Sequence, residues 1–220
     1  MDLKGKKIFF IGDSITEGAG TSGDGYRYWD VLAARTGAVC KADGRGGSCI
    51  ARQHNPEQHD DWNPNIRNHF ITRIDRWDAD ADVVVVFGGV NDFGHGDAPF
   101  GSMEDRTDDT FYGALHDLYQ RLIEKYPQAH IVVMTPLHYI EEEKTDRWGI
   151  PDKKPLLAYV QAIRQVAEFY SLPVLDMYAV SGMQPRVPVI MERYLPDGLH
   201  PNDAGHERIA VCVEAFLKTL

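Results

Sequence analysis

Short apolar runs along this chain alternate with longer stretches in which apolar residues recur every three or four positions. The runs predict strands at Lys7–Ile11, Ala38–Lys41, Asp82–Phe87, His130–Met134 and Leu172–Asp176. Residues 83–87 and 131–134 are continuously apolar and mainly β-branched, which is typical of strands covered on both faces. Alternating strands and helices predict an α/β fold around a parallel sheet.

The periodic stretches predict amphipathic helices whose apolar stripes contact the core. They are Trp29–Thr36, Ile66–Trp77, Phe111–Leu122, Leu156–Tyr170 and Ile209–Leu220. Pro127 and Pro173 follow the third and fourth stripes and end them. The last helix is expected to begin near Asn202, directly after Pro201.

Three predicted connections exceed the roughly 12–15 residues that compact domains usually tolerate in a loop. They are Gly88–Arg106, Thr135–Lys154 and Met177–Pro196. Each follows the carboxyl end of a predicted strand, so all three should meet at one edge of the sheet. The second is rich in charge and contains Trp148; it is either a solvated loop or a flap over a pocket.

Composition narrows the class of protein. The chain has 220 residues, of which 43% are hydrophobic, so one domain over residues 1–220 is expected. The formal net charge is −10 without a basic block, which argues against nucleic acid or a membrane surface as a partner. No signal peptide or spanning segment is evident, and Cys40, Cys49 and Cys212 are scattered. A cytoplasmic location is therefore expected.

Polar residues with catalytic potential stand at the first strand end and before the last helix. Gly12-Asp13-Ser14 ends the first strand, where Ser14 is either the N-cap of the next helix or a nucleophile. Asp197 and His200 either form a polar turn or supply a base and the group that orients it. Pro201 disfavours helical backbone at His200, which should leave the imidazole at the edge of the sheet.

Two further blocks could bind a developing oxyanion, which needs hydrogen-bond donors. Gly44–Ser48 follows the second strand, and its bare backbone allows a ligand to approach, although a plain turn is the alternative. This block matches neither a phosphate loop nor a complete dinucleotide fingerprint. Asn91, in Gly89–Asp92, is either an ordinary turn residue or a second donor through its side-chain amide.

Together, and in this order, the four blocks resemble those of the GDSL/SGNH hydrolases from residue 8 to about residue 210. The resemblance implies a three-layer α/β/α sandwich, flavodoxin-like, with a mainly five-stranded parallel sheet. It implies catalytic residues Ser14 (nucleophile), His200 (base) and Asp197 (its partner). It also implies an oxyanion hole of the Ser14 amide, the Gly47 amide and the Asn91 side chain, with Gly46 as the alternative to Gly47.

This chain departs from the family's pattern at two positions. Ile15 stands where leucine gives the family its name, and Asp43 stands where asparagine is common. No metal or organic cofactor is expected. His54, His59, His69 and His95 lack ligand-like spacing and are interpreted as surface or loop residues, and His206 as part of the last helix.

The leading hypothesis is a serine esterase that cleaves small carboxylic esters through an acyl-enzyme. A short acyl group is favoured, with a carbohydrate as one option for the alcohol; a thioesterase or lysophospholipase is the alternative within the family. A non-catalytic flavodoxin-like module that binds phosphate or flavin is the alternative from another class. The expected partner is a small-molecule ester, and the sequence leaves the oligomeric state open.

Overall fold

A parallel sheet of five strands forms the middle layer in the computed structural model, which describes residues 1–58, 61–77, 80–146 and 153–220. The strands are β1 (Lys7–Gly12), β2 (Val39–Gly44), β3 (Val83–Phe87), β4 (His130–Met134) and β5 (Val174–Leu175). Their order, β2-β1-β3-β4-β5, is that of flavodoxin-like folds. The predicted α/β/α sandwich is therefore confirmed.

Helices connect these strands and cover the sheet. They are α1 (Ser14–Glu17), α2 (Tyr28–Thr36), α3 (Phe70–Arg73), α4 (Val90–Gly94), α5 (Phe111–Lys125), α6 (Leu156–Phe169), α7 (Met177–Val180), α8 (Pro188–Tyr194) and α9 (Asp203–Leu217). Single 3₁₀ turns lie at Pro56–Gln58 and Ile74–Arg76. No helix in the described ranges is both long and apolar enough to cross a bilayer.

Each face of the sheet contributes to its own apolar core. Val84 and Val86 of β3 pack on one side with residues of α3, α5 and α6, whereas Val83, Val85 and Phe87 pack on the other with α2 and α9. Because successive strand residues point to opposite faces, a strand buried on both sides must be apolar throughout. Each buried valine contributes about 1.5–3 kcal/mol relative to an exposed one.

Two strand predictions differ from the structure by more than one residue at an end. β2 continues to Gly44 because it stays paired with β1 up to Gly12, although its last residues are not apolar. β5 is reduced to two residues, since it pairs with β4 only at Val133 and Met134. Both differences arise at the edges of the sheet, where pairing rather than apolar sequence sets the strand end.

The predicted helix over Ile66–Trp77 is wrong in extent, because the helical part begins only at Phe70. The Asn63 side chain accepts a hydrogen bond from the Asn65 backbone N–H at 3.1 Å, which fixes a turn around Pro64. Short polar side chains that bond to nearby backbone compete with helix in this way. This local turn therefore replaces the start of the helix that the apolar spacing predicted.

The long connections are partly structured. The first contains α4, and the third contains α7 and α8, so neither is an irregular loop throughout. In the second, the Ile140 N–H donates to the Gly198 carbonyl at 3.0 Å, which places this connection against the turn before α9. Residues 147–152, including Trp148, lie outside the described residues, so the flap hypothesis stays a prediction.

Candidate active site

The turn after β1 sets the position of Ser14. The Asp13 carboxylate accepts a hydrogen bond from the Ile15 N–H at 3.0 Å, which makes Asp13 the N-cap of α1. Ser14 is thus the first helical residue, and the alternative that Ser14 caps this helix is wrong. The Ser14 hydroxyl is not used to cap the helix, so it can face another group.

That group is the imidazole of His200. Ser14 Oγ lies 3.0 Å from His200 Nε2, and His200 Nδ1 lies 2.7 Å from Asp197 Oδ2. The other oxygen of Asp197 accepts the backbone N–H groups of Leu199 and His200, at 2.8 and 2.7 Å. Although burial alone would raise it, these hydrogen bonds hold the pKa of Asp197 below its ordinary value. The structure thus brings the three predicted catalytic residues into one hydrogen-bonded chain.

Contacts between the segment after α1 and the start of α9 carry His200 to this place. A Cβ at Gly20, which has a φ of +90°, would lie only 2.4 Å from the Pro201 carbonyl oxygen. Near Gly20, the backbone N–H and the hydroxyl of Ser22 donate to the Asp203 carboxylate at 2.8 and 2.5 Å. The residue before Pro201 is held beside Ser14 because glycine allows this close approach.

His206 reinforces the same junction from inside the protein. It lies in α9, as predicted, and its Nδ1 accepts the Tyr28 N–H at 3.1 Å. The two rings stack with their centroids 6.0 Å apart. Burial lowers the pKa of His206 to about 4, so the imidazole is neutral near pH 7.

The glycine block after β2 forms a tight turn. A hydrogen bond from the Ser48 N–H to the Arg45 carbonyl at 3.1 Å closes the four-residue turn Arg45–Ser48. Gly47 stands third with a φ of +72°, which a type II turn requires and glycine supplies without strain. The Gly46 N–H donates to Glu17 at 2.9 Å, whereas no hydrogen bond within the described residues occupies the Gly47 N–H.

The start of α4 lies against this turn. Asn91 donates from its side-chain amide to the Ser48 carbonyl at 3.0 Å, which leaves the second N–H of that amide for another acceptor. The neighbouring Asp92 carboxylate accepts the N–H groups of Ile50 and Ala51, each at 2.9 Å. Burial raises the pKa of Asp92 to about 6. Residues 48–51 are thus held in place from α4, directly after the turn in which a Cβ on Gly46 would lie 3.8 Å from Ser14 Cβ.

The order and spacing of these blocks agree with a known family. The sequence model of the GDSL-like lipase/acylhydrolase family matches residues 10–208. The chain belongs to this family. It is therefore assigned to the hydrolases, as an esterase or acylhydrolase.

Individual relatives of this GDSL-like hydrolase match nearly its whole length. A GDSL lipase of Mycobacterium tuberculosis is 28% identical over 219 residues, which cover 96% of this chain and 80% of the relative. A crystal structure from Lactobacillus plantarum is 30% identical with a TM-score of 0.82, covering 99% of this chain and 98% of that one. An acetyl xylan esterase has a TM-score of 0.60 at 20% identity, covering 95% and 98%, and shares the fold.

A buried arginine packs against the turn after β1, and the sequence patterns did not predict it. Arg73 is 1% exposed and donates to the carbonyls of Asp43 and Gly12, at 2.9 and 3.1 Å. Its guanidinium also lies 3.2 Å from the Asp43 carboxylate, which accepts the Trp77 indole N–H at 2.6 Å. Two signals were present in the sequence: an arginine within an apolar stripe, and an acid where the family commonly has asparagine.

The remaining histidines of this hydrolase have varied surroundings. His54 is exposed, whereas His69 and His95 lie in loops but are buried, and His69 Nε2 lies 2.9 Å from an Asp108 oxygen. His59 lies outside the described residues. Across the described ranges, no three His, Cys, Asp or Glu side chains are grouped to hold a metal ion.

Proposed function

We propose that this chain is a serine esterase that hydrolyses small carboxylic esters through an acyl-enzyme. The observation that supports this proposal is the continuous hydrogen-bonded chain from Asp197 through His200 to Ser14, with distances of 2.7 and 3.0 Å. A nucleophile, a base and an orienting carboxylate in this geometry are what acyl transfer needs.

In the first half-reaction, Ser14 Oγ bonds to the ester carbonyl carbon while its proton moves to His200 Nε2. The carbonyl π electrons move to oxygen and create an oxyanion. When the carbonyl re-forms, the bond to the alcohol oxygen breaks, and the alcohol leaves with the proton from His200. Asp197 holds the other imidazole nitrogen as N–H throughout, and so keeps Nε2 available as the base.

In the second half-reaction, water gives a proton to His200 and bonds to the acyl carbon. The bond from that carbon to Ser14 Oγ then breaks, and the serine regains the proton. The products are the carboxylic acid and the free enzyme. The cycle needs no redox partner or external acid, which fits the prediction of an enzyme without a cofactor.

Three donors are proposed for the oxyanion: the Ser14 amide, the Gly47 amide and the Asn91 side chain. The Ser14 N–H opens α1, where helical N–H groups lack intrahelical acceptors. Gly47 is favoured over Gly46 because Glu17 already accepts the Gly46 N–H at 2.9 Å. Preorganised donors of this kind stabilise charge that develops only in the transition state.

A short acyl group is proposed because polar side chains line the glycine turn. Asn63 and Asn65 donate to the carbonyls of Gly47 and Gly46, and Glu17 accepts the Gly46 N–H, each at 2.9 Å. Hydrolysis rates for p-nitrophenyl esters of C2 to C12 acids test this. A maximum at C2 to C4 is expected, whereas a maximum at C8 or longer would favour a lysophospholipase.

Removal of the nucleophile tests the proposal as a whole. Ser14→Ala should abolish hydrolysis of p-nitrophenyl acetate and labelling by a fluorophosphonate, while circular dichroism and the melting temperature stay those of the parent protein. Undiminished turnover would refute the mechanism. A yellow purified protein, or stabilisation by phosphate, would favour the binding-module alternative. Cell fractionation tests the proposed cytoplasmic location.

A further inference from the structure

Trp62 lies at the border of the glycine turn, because residues close to it in the chain bind that turn. Asn63 donates to the Gly47 carbonyl and Asn65 donates to the Gly46 carbonyl, each at 2.9 Å. A Cβ on Gly47 would lie within 2.6–2.8 Å of the Asn63 amide, so the two segments touch. Trp62 thus directly precedes a residue in contact with a proposed oxyanion donor.

The indole of Trp62 also reaches the segment that carries the other proposed side-chain donor. Its ring centroid lies 5.0 Å from that of His95, with the two planes at 90°. The His95 backbone N–H donates to the Asn91 carbonyl at 3.0 Å. Trp62 therefore bridges the segments of Gly47 and Asn91, and both of these should face the reacting carbonyl.

Trp62 remains 46% exposed in this position. Phe169, which is 57% exposed, provides a contrast because it ends α6. A helix that follows a parallel strand runs back along the sheet, so Phe169 lies toward the edge opposite Ser14. A single exposed aromatic residue is common and needs no explanation. Trp62 differs because it lies next to the proposed oxyanion donors, where it could contact a substrate.

The surroundings of Trp62 indicate what would contact its ring. Two residues after His95, the Asp97 N–H donates to Gln53 at 2.6 Å, and Gln53 lines a cleft of about 420 Å³, within the roughly 300–1,000 Å³ typical of ligand sites. Hydrogen-bonding side chains dominate the lining of this cleft: Arg52, Gln53, His54, Glu57 and Arg67. A long hydrocarbon chain would desolvate these polar groups without pairing them, whereas hydroxyl groups can pair with them.

We propose that Trp62 and this polar cleft form the subsite for the alcohol part of the ester, and that this alcohol is a sugar. One face of a pyranose or furanose ring presents C–H groups to the indole, while its hydroxyl groups turn toward the amides and charged groups around it. This inference rests on the proposed esterase function. It adds that substrate choice depends on the alcohol, through a residue with no part in the chemical steps.

Two substrates that differ only in the alcohol test the subsite in steady-state kinetics. Ethyl acetate has no ring to place against Trp62, whereas 6-O-acetylglucose offers a pyranose ring with free hydroxyl groups; acid release from both can be followed by pH-stat titration. Trp62→Ala should lower kcat/KM for the sugar ester about tenfold, mainly through KM, the size of one lost aromatic contact. Ethyl acetate should be hydrolysed within twofold of the parent rate, and Trp62→Phe should recover most of the loss.

Phe169→Ala serves as the matched control and should leave kcat/KM unchanged for both esters. If Trp62→Ala lowered kcat/KM equally for both esters, the effect would be structural and the proposal would be overturned. An unchanged KM for the sugar ester would overturn it as well.

Binding to a variant without the nucleophile separates the subsite from the catalytic proposal. Isothermal titration calorimetry should detect binding of 6-O-acetylglucose to Ser14→Ala, and the Kd for Ser14→Ala/Trp62→Ala should be about tenfold higher. This binding result does not depend on the role of Ser14. Turnover by Ser14→Ala would refute the acyl-enzyme mechanism but not the subsite. Identical titrations of the two variants would remove Trp62 from the subsite.

Discussion

Replacing Arg73 by methionine should destabilise the protein by about 3 kcal/mol, the lower end of the range for breaking a buried ion pair. The substitution removes the donors to the carbonyls of Gly12 and Asp43 and leaves an acid whose side chain is 15% exposed. Arg45 still lies 3.0 Å from that carboxylate and offsets part of the loss. A loss of this size is a large fraction of the roughly 5–15 kcal/mol that stabilises a typical domain.

Urea unfolding followed by circular dichroism measures this change. Arg76→Met is the matched control, because Arg76 lies three residues away and is exposed; it should shift the unfolding free energy by less than about 0.5 kcal/mol. The double variant Arg73→Met/Asp43→Leu should lose less unfolding free energy than the two single variants lose together, because it leaves no buried unpaired charge.

A loss below about 1 kcal/mol for Arg73→Met, or one equal to that of Arg76→Met, would refute the assignment of Arg73 as the link between the ends of β1 and β2.

Three further predictions concern the site and its supports. Asn91→Ala should lower kcat for p-nitrophenyl acetate by about 10²–10³, the usual cost of one oxyanion donor; a loss of less than a few-fold would exclude that role. Gly20→Ala should place a methyl group against the Pro201 carbonyl and lower kcat more than tenfold, whereas an unchanged kcat would show that the His200 segment is positioned independently. The pKa of His206 is about 4 in the folded protein, below the ordinary 6.5. The contribution of His206 to folding stability is therefore complete above pH 6.5 and is lost as the pH falls toward 4. The parent protein should therefore lose about 3 kcal/mol more than His206→Gln over that interval, and parallel pH–stability curves would contradict this.

Features that depend on neighbouring residues could be predicted from the order of the amino acids alone. The apolar runs at 83–87 and 131–134 predicted two central strands, because a strand covered on both faces cannot carry polar side chains. The stripes in α5, α6 and α9 predicted helices for a similar local reason. Residue types and their order also led to Ser14, Asp197 and His200, which the structure brings into one hydrogen-bonded chain.

Hydrogen bonds between residues far apart in the chain could be identified only from the tertiary structure. Glu17 accepts the Gly46 N–H across 29 positions, and this contact distinguishes two adjacent glycines that look alike in sequence. Arg73 bonds to Gly12 across 61 positions, so an arginine that could have been a surface residue is buried. Local periodicity cannot reveal such pairings, because a hydrogen bond depends on where folding places both partners.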